Sequence, residues 1–157
     1  MAARPGEVTV REIQHRGFTL AEILTALVVV AVLVAVAVPM WRNHLLRVQR
    51  ADAMAALTAV QKEQDSFFGR NARYADGNQL AAKPPGGLGL ASRSTRNFYA
   101  IEVRTSADGL SYVARARVAP AHGQSDDRRC VEFSLNQNGL RRAVDSEGND
   151  RSGDCWR

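Results

Sequence analysis

Hydrophobic and polar positions divide this chain into an apolar run, an amphipathic stretch, an irregular stretch and a region that alternates with period two. No charged residue lies between Ile23 and Trp41, a run of 19 residues. As a helix, this run would be about 28 Å long at ~1.5 Å per residue, close to the ~30 Å hydrocarbon core of a bilayer. The pattern predicts one membrane-spanning helix.

A cleaved secretory signal is the competing explanation for this run. Such signals usually have a shorter apolar region, followed by a cleavage site of small residues. Here the sequence Pro-Met-Trp-Arg occupies residues 39–42, and a helical pattern continues beyond it. A spanning helix therefore explains the run better. Pro39 predicts a kink in this helix because proline removes a backbone donor.

The pattern after the run predicts a second, amphipathic half of the same helix. One stripe, mostly apolar, recurs at helical spacing and is typical of a face that packs against a sheet. Charged residues such as Arg50 and Asp52 are assigned to the other faces, and Gly69 gives a stop signal. The stripe consists of Ala53, Ala56, Leu57, Val60, Gln64, Phe67 and Phe68.

The C-terminal part predicts a long loop and then a small sheet. Residues 70–97 contain Pro-Pro-Gly-Gly and Ser-Arg-Ser-Thr segments, which are typical of loops. From residue 98 the period changes to two, with turn signals at Asp108-Gly109 and Asn138-Gly139. One apolar and one polar face predict an antiparallel sheet of about four strands packed on the helix, an α+β fold.

Two cysteines, Cys130 and Cys155, lie in the part of the chain that the spanning helix would export. An even number of cysteines in an exported domain favours a disulfide. Closing this loop of ~26 residues would stabilise the fold by about 3.5 kcal/mol in the chain-entropy account. The two cysteines are not in a Cys-X-X-Cys arrangement, which would indicate a metal site.

The formal net charge is +5, and nearly all the positive charge is arginine. This balance permits attraction to an anionic partner such as nucleic acid. Exposed strand faces are also often charged for solubility, and nearby carboxylates would offset the positive field. The arginines that we weigh as DNA contacts are Arg128, Arg129, Arg141 and Arg142.

The sequence favours a protein that is not an enzyme. It suggests no Ser-His-Asp or Cys-His set and no glycine loop that cradles phosphate. We therefore expect no catalytic residues, no cofactor and no metal site. A calcium loop is the alternative considered for five oxygen-bearing residues whose spacing is not that of an EF-hand. They are Asp145, Glu147, Asn149, Asp150 and Asp154.

Glu22 is the unusual residue at the start of the apolar run. An unpaired acidic residue at mid-helix in lipid costs about 2.5–3.5 kcal/mol. Glu22 could lie at headgroup level, in the first helical turn, where the helix dipole favours an anion. It could instead pair with an amine, which a cut before Phe18 would create. Glu22 would then be the fifth residue of the mature chain.

These N-terminal residues resemble the leader of type IV pilins and their pseudopilin relatives. A short basic leader ends in Gly17, Phe18 follows, and Glu22 is fifth from the cut, with Pro39 twenty-second. The resemblance implies that a membrane prepilin peptidase cuts between Gly17 and Phe18 and methylates the Phe18 amine. It also implies that Glu22 helps a subunit dock into a growing filament by pairing with a neighbour's amine.

On this resemblance the chain is organised into five segments. Residues 1–17 are a prepilin leader, 18–41 the transmembrane and assembly half of the helix, and 42–69 its amphipathic half. Residues 70–97 are the connecting loop, and 98–157 the antiparallel sheet with a C-terminal disulfide region. The fold expected is the type IV pilin fold, a long N-terminal helix packed on the sheet.

Further segments resemble a narrower group, the PilE-like minor pilins. They are residues 63–74, residues 134–139 and the closing Cys155-Trp156. The function implied is that of a minor pilin, in or at the start of a type IV pilus, supporting pilus biogenesis, twitching motility and adhesion. Its partners would be other pilin subunits, prepilin peptidase, the inner-membrane assembly machinery and, before assembly, membrane lipid, with DNA as a further candidate.

The expected location is the inner membrane, with a single span and a cytoplasmic N-terminus, and then the pilus at the cell surface. Arginines before the span favour this orientation. Two alternatives stay open. One is a pseudopilin of type II secretion, which has the same helix and processing. The other is a single-span membrane-anchored binding domain that does not polymerise.

Overall fold

A computed structural model describes residues 19–119 and 127–157 of the chain. Helix α1 spans Leu20–Asn71, and a short 3-10 turn spans Gly77–Gln79. The remaining elements are β1 (Tyr99–Thr105), β2 (Tyr112–Val118), β3 (Glu132–Asn136), β4 (Arg141–Val144) and the short helix α2 (Ser152–Cys155). The described residues before Trp41 form one compact unit, and the described residues from Trp41 onward form a second.

The four strands form an antiparallel meander in the order β1–β2–β3–β4, which confirms the predicted α+β class. Both predicted turns are present, with φ of 69° at Gly109 and 74° at Gly139. A side chain with a Cβ is strained at such angles, which explains the glycines. The register places Ile101 opposite Ala116 and Ala116 opposite Phe133, so apolar residues share one face.

The apolar face of the sheet packs against the predicted stripe of α1. Burying each large apolar side chain contributes about 1.5–3 kcal/mol, so this layer is the main force that joins helix and sheet. The buried residues of the stripe are Ala53, Leu57, Val60, Gln64 and Phe67. The sheet contributes Tyr99, Ile101, Val103, Tyr112, Ala114, Ala116, Phe133, Leu135 and Ala143.

The structure adds two details to the predicted α1. Asp52, which we assigned to a face outside the apolar stripe, is only 8% exposed, and its Oδ1 accepts a hydrogen bond from the Arg96 N–H at 3.3 Å. The helix continues two residues past Gly69 and ends at Asn71. The Asn71 side chain donates to the Phe67 carbonyl at 3.0 Å, so it satisfies a terminal carbonyl that the helix leaves free.

Side chains hold the connection between α1 and β1 against the core. The amide of Gln64 is fully buried. Its Nε2 donates to the Ala75 carbonyl at 2.8 Å, and its Oε1 accepts from the Ala75 N–H at 2.9 Å. Asp76 caps the 3-10 turn that follows. Backbone groups at the start of this long loop therefore find hydrogen-bond partners in side chains.

Candidate functional site

The first turn of α1 carries the acidic residue Glu22. The Glu22 N–H donates to both the carbonyl and the Oγ1 of Thr19, at 3.1 and 3.3 Å. Glu22 itself is exposed, at the end of the helix where the dipole favours an anion. Gly17 and Phe18, the predicted cleavage and methylation sites, lie outside the described residues. The predicted pairing of Glu22 with an amine therefore stays a prediction.

Large exposed apolar side chains cover α1 on both sides of Glu22. Leu20 is 77% exposed, Leu33 64% and Trp41 64%. The helix is long and apolar enough to cross a membrane, and none of its most apolar stretch is buried within the protein. Such a surface requires lipid or other apolar helices around it. Pro39 lies inside α1, and the kink expected there stays a prediction.

The predicted disulfide is present between Cys130 and Cys155, with an S–S distance of 2.03 Å. Both cysteines are buried. The indole N–H of Trp156 donates to the Arg142 carbonyl at 2.9 Å, and the Arg141 guanidinium lies 5.3 Å from the centre of its ring. The disulfide therefore ties the C-terminal segment to the residues just before β3, and two non-covalent contacts tie it to β4.

The four arginines weighed as DNA contacts are all exposed, but they lie in two separate places. Arg141 and Arg142 begin β4, whereas the Arg128 carbonyl accepts from Ser146 just beyond the end of β4. At ~3.3 Å per residue, the two places are about 15 Å apart along the strand. The structure does not bring the two pairs into one patch.

Arg142 belongs to a row of polar residues on the outer face of the sheet. It lies across from Ser134, which in turn lies across from Arg115. Arg115 and Arg117 both approach the Glu132 carboxylate, with Nε to oxygen distances of 3.6 and 2.6 Å. One carboxylate thus offsets two arginines, and Arg142 has no ion pair within the described ranges 19–119 and 127–157.

Arg128 and Arg129 lie with arginines of α1 instead. A cavity of about 420 Å³ is lined by five arginines, Asp154 and the two disulfide cysteines. A neighbouring cavity of about 390 Å³ includes Arg128 and shares three of its arginines with the first. The five arginines of the first cavity are Arg47, Arg50, Arg129, Arg151 and Arg157.

The acidic loop weighed as a calcium site is closed by its own hydrogen bonds. Asp145 accepts from the backbone N–H groups of Glu147 and Asn149, from the Asn149 amide and from Arg151 Nε. Burial raises the pKa of Asp145, but these donors outweigh it and lower the pKa to about 2. A carboxylate surrounded by N–H donors is not free to bind calcium. The described part of the chain contains no cluster of metal-binding side chains.

Two family models match the sequence. One, described as the prokaryotic N-terminal methylation motif, matches residues 14–38. The other matches residues 39–134, more than half of the chain, and is described as "Type IV minor pilin ComP, DNA uptake sequence receptor". The chain belongs to the type IV pilins.

Two individual proteins are similar to this pilin over part of its length. The type IV major pilin protein PilA of Myxococcus xanthus (strain DK1622) is 31% identical over 96 residues, which are 60% of this chain and 44% of that protein. The chain therefore spans less than half the length of this relative. A solved type IV pilin from Shewanella oneidensis is 20% identical, with a TM-score of 0.43, over 61% of this chain and 89% of that one.

The sequence did not predict one ion pair of this pilin, between Arg50 and Asp127. Arg50 donates from Nε and Nη2 to the two oxygens of Asp127 at 2.7 and 2.9 Å, and Asp127 is only 2% exposed. The hydrogen bond to Asp127 is the main cause that raises the pKa of Arg50. The two residues are 77 positions apart, so no local pattern indicated their pairing. The pair fastens the segment before β3 to α1.

Proposed function

We propose that this pilin is a minor subunit of a type IV pilus. Prepilin peptidase cuts it between Gly17 and Phe18 and methylates the Phe18 amine. The apolar helix holds the subunit in the inner membrane, with a cytoplasmic N-terminus, until the assembly machinery moves it into the filament. The observation that carries the proposal is the match to the methylation motif over residues 14–38, which includes Gly17, Phe18 and Glu22.

The exposed surface of the apolar helix supports this proposal. Apolar side chains between Leu20 and Trp41 are exposed, and they need lipid before assembly and other pilin helices afterwards. Glu22 among them is costly in lipid unless it is paired. A Phe18 amine of a neighbouring subunit supplies the opposite charge, and this pairing docks the subunit into the filament.

The description of the matching family model, a minor pilin, supports a minor role. A minor pilin is incorporated in small amounts or starts the filament. Its contribution is structural, and it supports pilus biogenesis and, through the pilus, twitching motility and adhesion. No chemical reaction is part of this role.

The test is the intact mass of the protein in filaments sheared from the cell surface, with and without reduction. We expect a chain that starts at methylated Phe18 and that gains the mass of two hydrogens when the Cys130–Cys155 bond is reduced. A chain that still carries residues 1–17 in wild-type cells would contradict the proposal and leave a membrane-anchored domain that does not polymerise.

A pseudopilin of type II secretion is the alternative within the same superfamily. It would share the helix and the processing, so mass alone does not separate the two. Deletion of the gene does: a pilus subunit is needed for twitching motility, whereas a pseudopilin is needed for protein secretion. Loss of secretion with normal twitching would overturn the pilus assignment.

A second candidate function is binding of incoming DNA. It is favoured by the description of the family model, which names a DNA uptake sequence receptor, and by Arg142, which is exposed and has no ion pair in the described part of the chain. Arginines contact DNA phosphates well because the guanidinium forms two parallel hydrogen bonds. Arg115 and Arg117 extend this surface across β2, although Glu132 weakens it.

The DNA hypothesis predicts a defined change in salt dependence. Replacing Arg141 and Arg142 with Gln in the full chain should weaken duplex binding and reduce the slope of log affinity against log salt by up to about 2. The same change at Arg128 and Arg129 tests the other pair, and Lys62→Gln with Lys83→Gln is the charge-matched control. Equal binding by all four proteins, measured by fluorescence anisotropy, would remove DNA from the function.

A further inference from the structure

The five-arginine cavity is assembled from distant parts of the chain. Arg47 and Arg50 belong to α1, Arg129 precedes β3, and Arg151 and Arg157 flank α2. The Cys130–Cys155 bond lines the cavity. It joins the segment before β3, which carries Arg129, to α2, which Arg151 and Arg157 flank. The volume of about 420 Å³ lies within the range of ~300–1,000 Å³ that is usual for sites of small molecules.

Two of the five guanidinium groups have no carboxylate partner in the described ranges of the chain. Arg50 pairs with Asp127, and Arg151 pairs with Asp145, at 2.7 and 3.1 Å. Those two carboxylates are buried, so these pairs are fixed parts of the fold. The unmatched groups are those of Arg47 and Arg157, both exposed.

Arg129 is held only loosely. Its Nη2 lies 3.6 Å from the Asp154 carboxylate, with side chains that are 71% and 52% exposed. An exposed ion pair of this length contributes little, so Arg129 is available to a stronger anion. The cavity therefore offers one loosely paired and two unmatched arginines to a ligand. Several guanidinium groups facing one space are suited to the oxygens of a phosphate group.

One residue that lines the cavity, Arg47, follows closely after the tryptophan that closes the apolar run. Arg47 follows Trp41 by six residues of the same helix, about 9 Å at ~1.5 Å per residue. Side chains of a helix lean towards its N-terminus, so Arg47 leans towards Trp41. Tryptophan is enriched at the membrane–water interface, and Trp41 is 64% exposed. If Trp41 lies at the interface, as the proposed function requires, Arg47 follows it within reach of the lipid phosphates.

The geometry points to a binding site for the phosphate group of an anionic phospholipid in this cavity. The inference rests on the proposed membrane-held state of the pilin. Basic residues are usually scarce on the exported side of a span, yet Arg42, Arg47 and Arg50 follow this one closely. An anionic headgroup supplies the negatively charged partner that Arg47 and Arg157 lack. The bound lipid would hold the domain at the membrane surface before assembly.

The test compares lipids retained by the full chain in native mass spectrometry from detergent micelles. The probes are phosphatidylglycerol and phosphatidylcholine, which share acyl chains and a phosphate but differ in net charge. We expect wild-type pilin to retain phosphatidylglycerol about tenfold better. Arg47→Gln with Arg157→Gln should abolish this preference, and these substitutions leave the Arg50–Asp127 and Arg151–Asp145 pairs intact.

Arg93→Gln with Arg104→Gln is the matched control, since both arginines are exposed elsewhere in the same unit. This control should keep the preference. Equal retention of phosphatidylglycerol by wild type and the Arg47/Arg157 variant would overturn the inference. Binding of inorganic phosphate and of a short DNA duplex is measured with the same proteins. If the two substitutions abolished binding of either of these probes but not of the lipid, the inference would also be overturned. The measurement needs no filament, so its failure is separable from a failure of the pilus assignment.

Discussion

Gln64 shows how a single polar side chain fixes a loop in this pilin. It lies in the apolar stripe of α1, where an unpaired amide would be costly. Its two ends instead satisfy both backbone groups of Ala75, which is itself fully buried. The start of the α1–β1 connection is therefore attached to the helix by a pair of hydrogen bonds.

Replacing Gln64 with Leu should destabilise the fold by about 2–6 kcal/mol, because it leaves a buried N–H and a buried carbonyl unpaired, each costing ~1–3 kcal/mol. Urea unfolding of the full chain in detergent, followed by circular dichroism, measures the change. Gln61→Leu is the control, since Gln61 is only half-buried on the same helix. If both variants lost equal stability, the role given to Gln64 would be incorrect.

The turn after β4 is an element whose order depends on one carboxylate. Asp145 accepts hydrogen bonds from three following residues, and the Arg151 N–H returns to the Ala143 carbonyl at 2.8 Å. The same turn leads to α2 and the disulfide. The carboxylate thus organises the approach of the C-terminal segment to the sheet.

This element should make the pilin sensitive to acid. The folded pKa of Asp145 is lowered to about 2, so its contribution to stability is complete above the unfolded value near ~3.9 and is lost as the pH falls towards 2. Asp145→Asn should be less stable than wild type at neutral pH. The two thermal midpoints, measured in detergent, should converge between about pH 4 and pH 2.

Asp65→Asn serves as the control for this series, because Asp65 is an exposed carboxylate on α1. The difference in thermal midpoint between Asp65→Asn and wild type should stay small from neutral pH to pH 2. A difference between Asp145→Asn and wild type that is constant from neutral pH to pH 2 would show that the charge of Asp145 does not stabilise the turn.

At the scale of the whole molecule, the pilin combines an exposed apolar helix with an ordered helix-and-sheet unit. The helix has no apolar surface of its own fold to pack against within the described residues before Trp41. Its stable environment is lipid or other subunits. In the proposed function, Glu22 is the residue that favours other subunits over lipid.

Glu22→Ala should leave processing at Gly17 intact but lower the amount of the pilin in sheared filaments, by about tenfold or more if a buried ion pair is lost. Quantitative mass spectrometry of the filaments measures this. Thr25→Ala is the control, because the Thr25 hydroxyl donates to the Glu22 backbone carbonyl at 2.9 Å, a hydrogen bond that does not involve the Glu22 carboxylate. Unchanged incorporation of Glu22→Ala would refute the docking role.

Much of the fold follows from local patterns in the sequence. The apolar run, the helical stripe and the period-two segments depend on side chains close in sequence, and so do the glycine turns at residues 109 and 139. Cysteine number and the exported position were sufficient to predict the disulfide. The N-terminal pattern of Gly17, Phe18 and Glu22 could likewise be recognised from the sequence, because its residues lie close together in the chain.

Only the tertiary structure decided which distant residues meet. The burial of Asp52, the pairing of Arg50 with Asp127 and the capture of Ala75 by Gln64 join segments that no sequence period connects. The two arginine pairs weighed as DNA contacts lie at opposite ends of β4, and one pair joins the arginines of α1. Sequence patterns report the face on which a residue lies, whereas contacts depend on how the chain returns to that face.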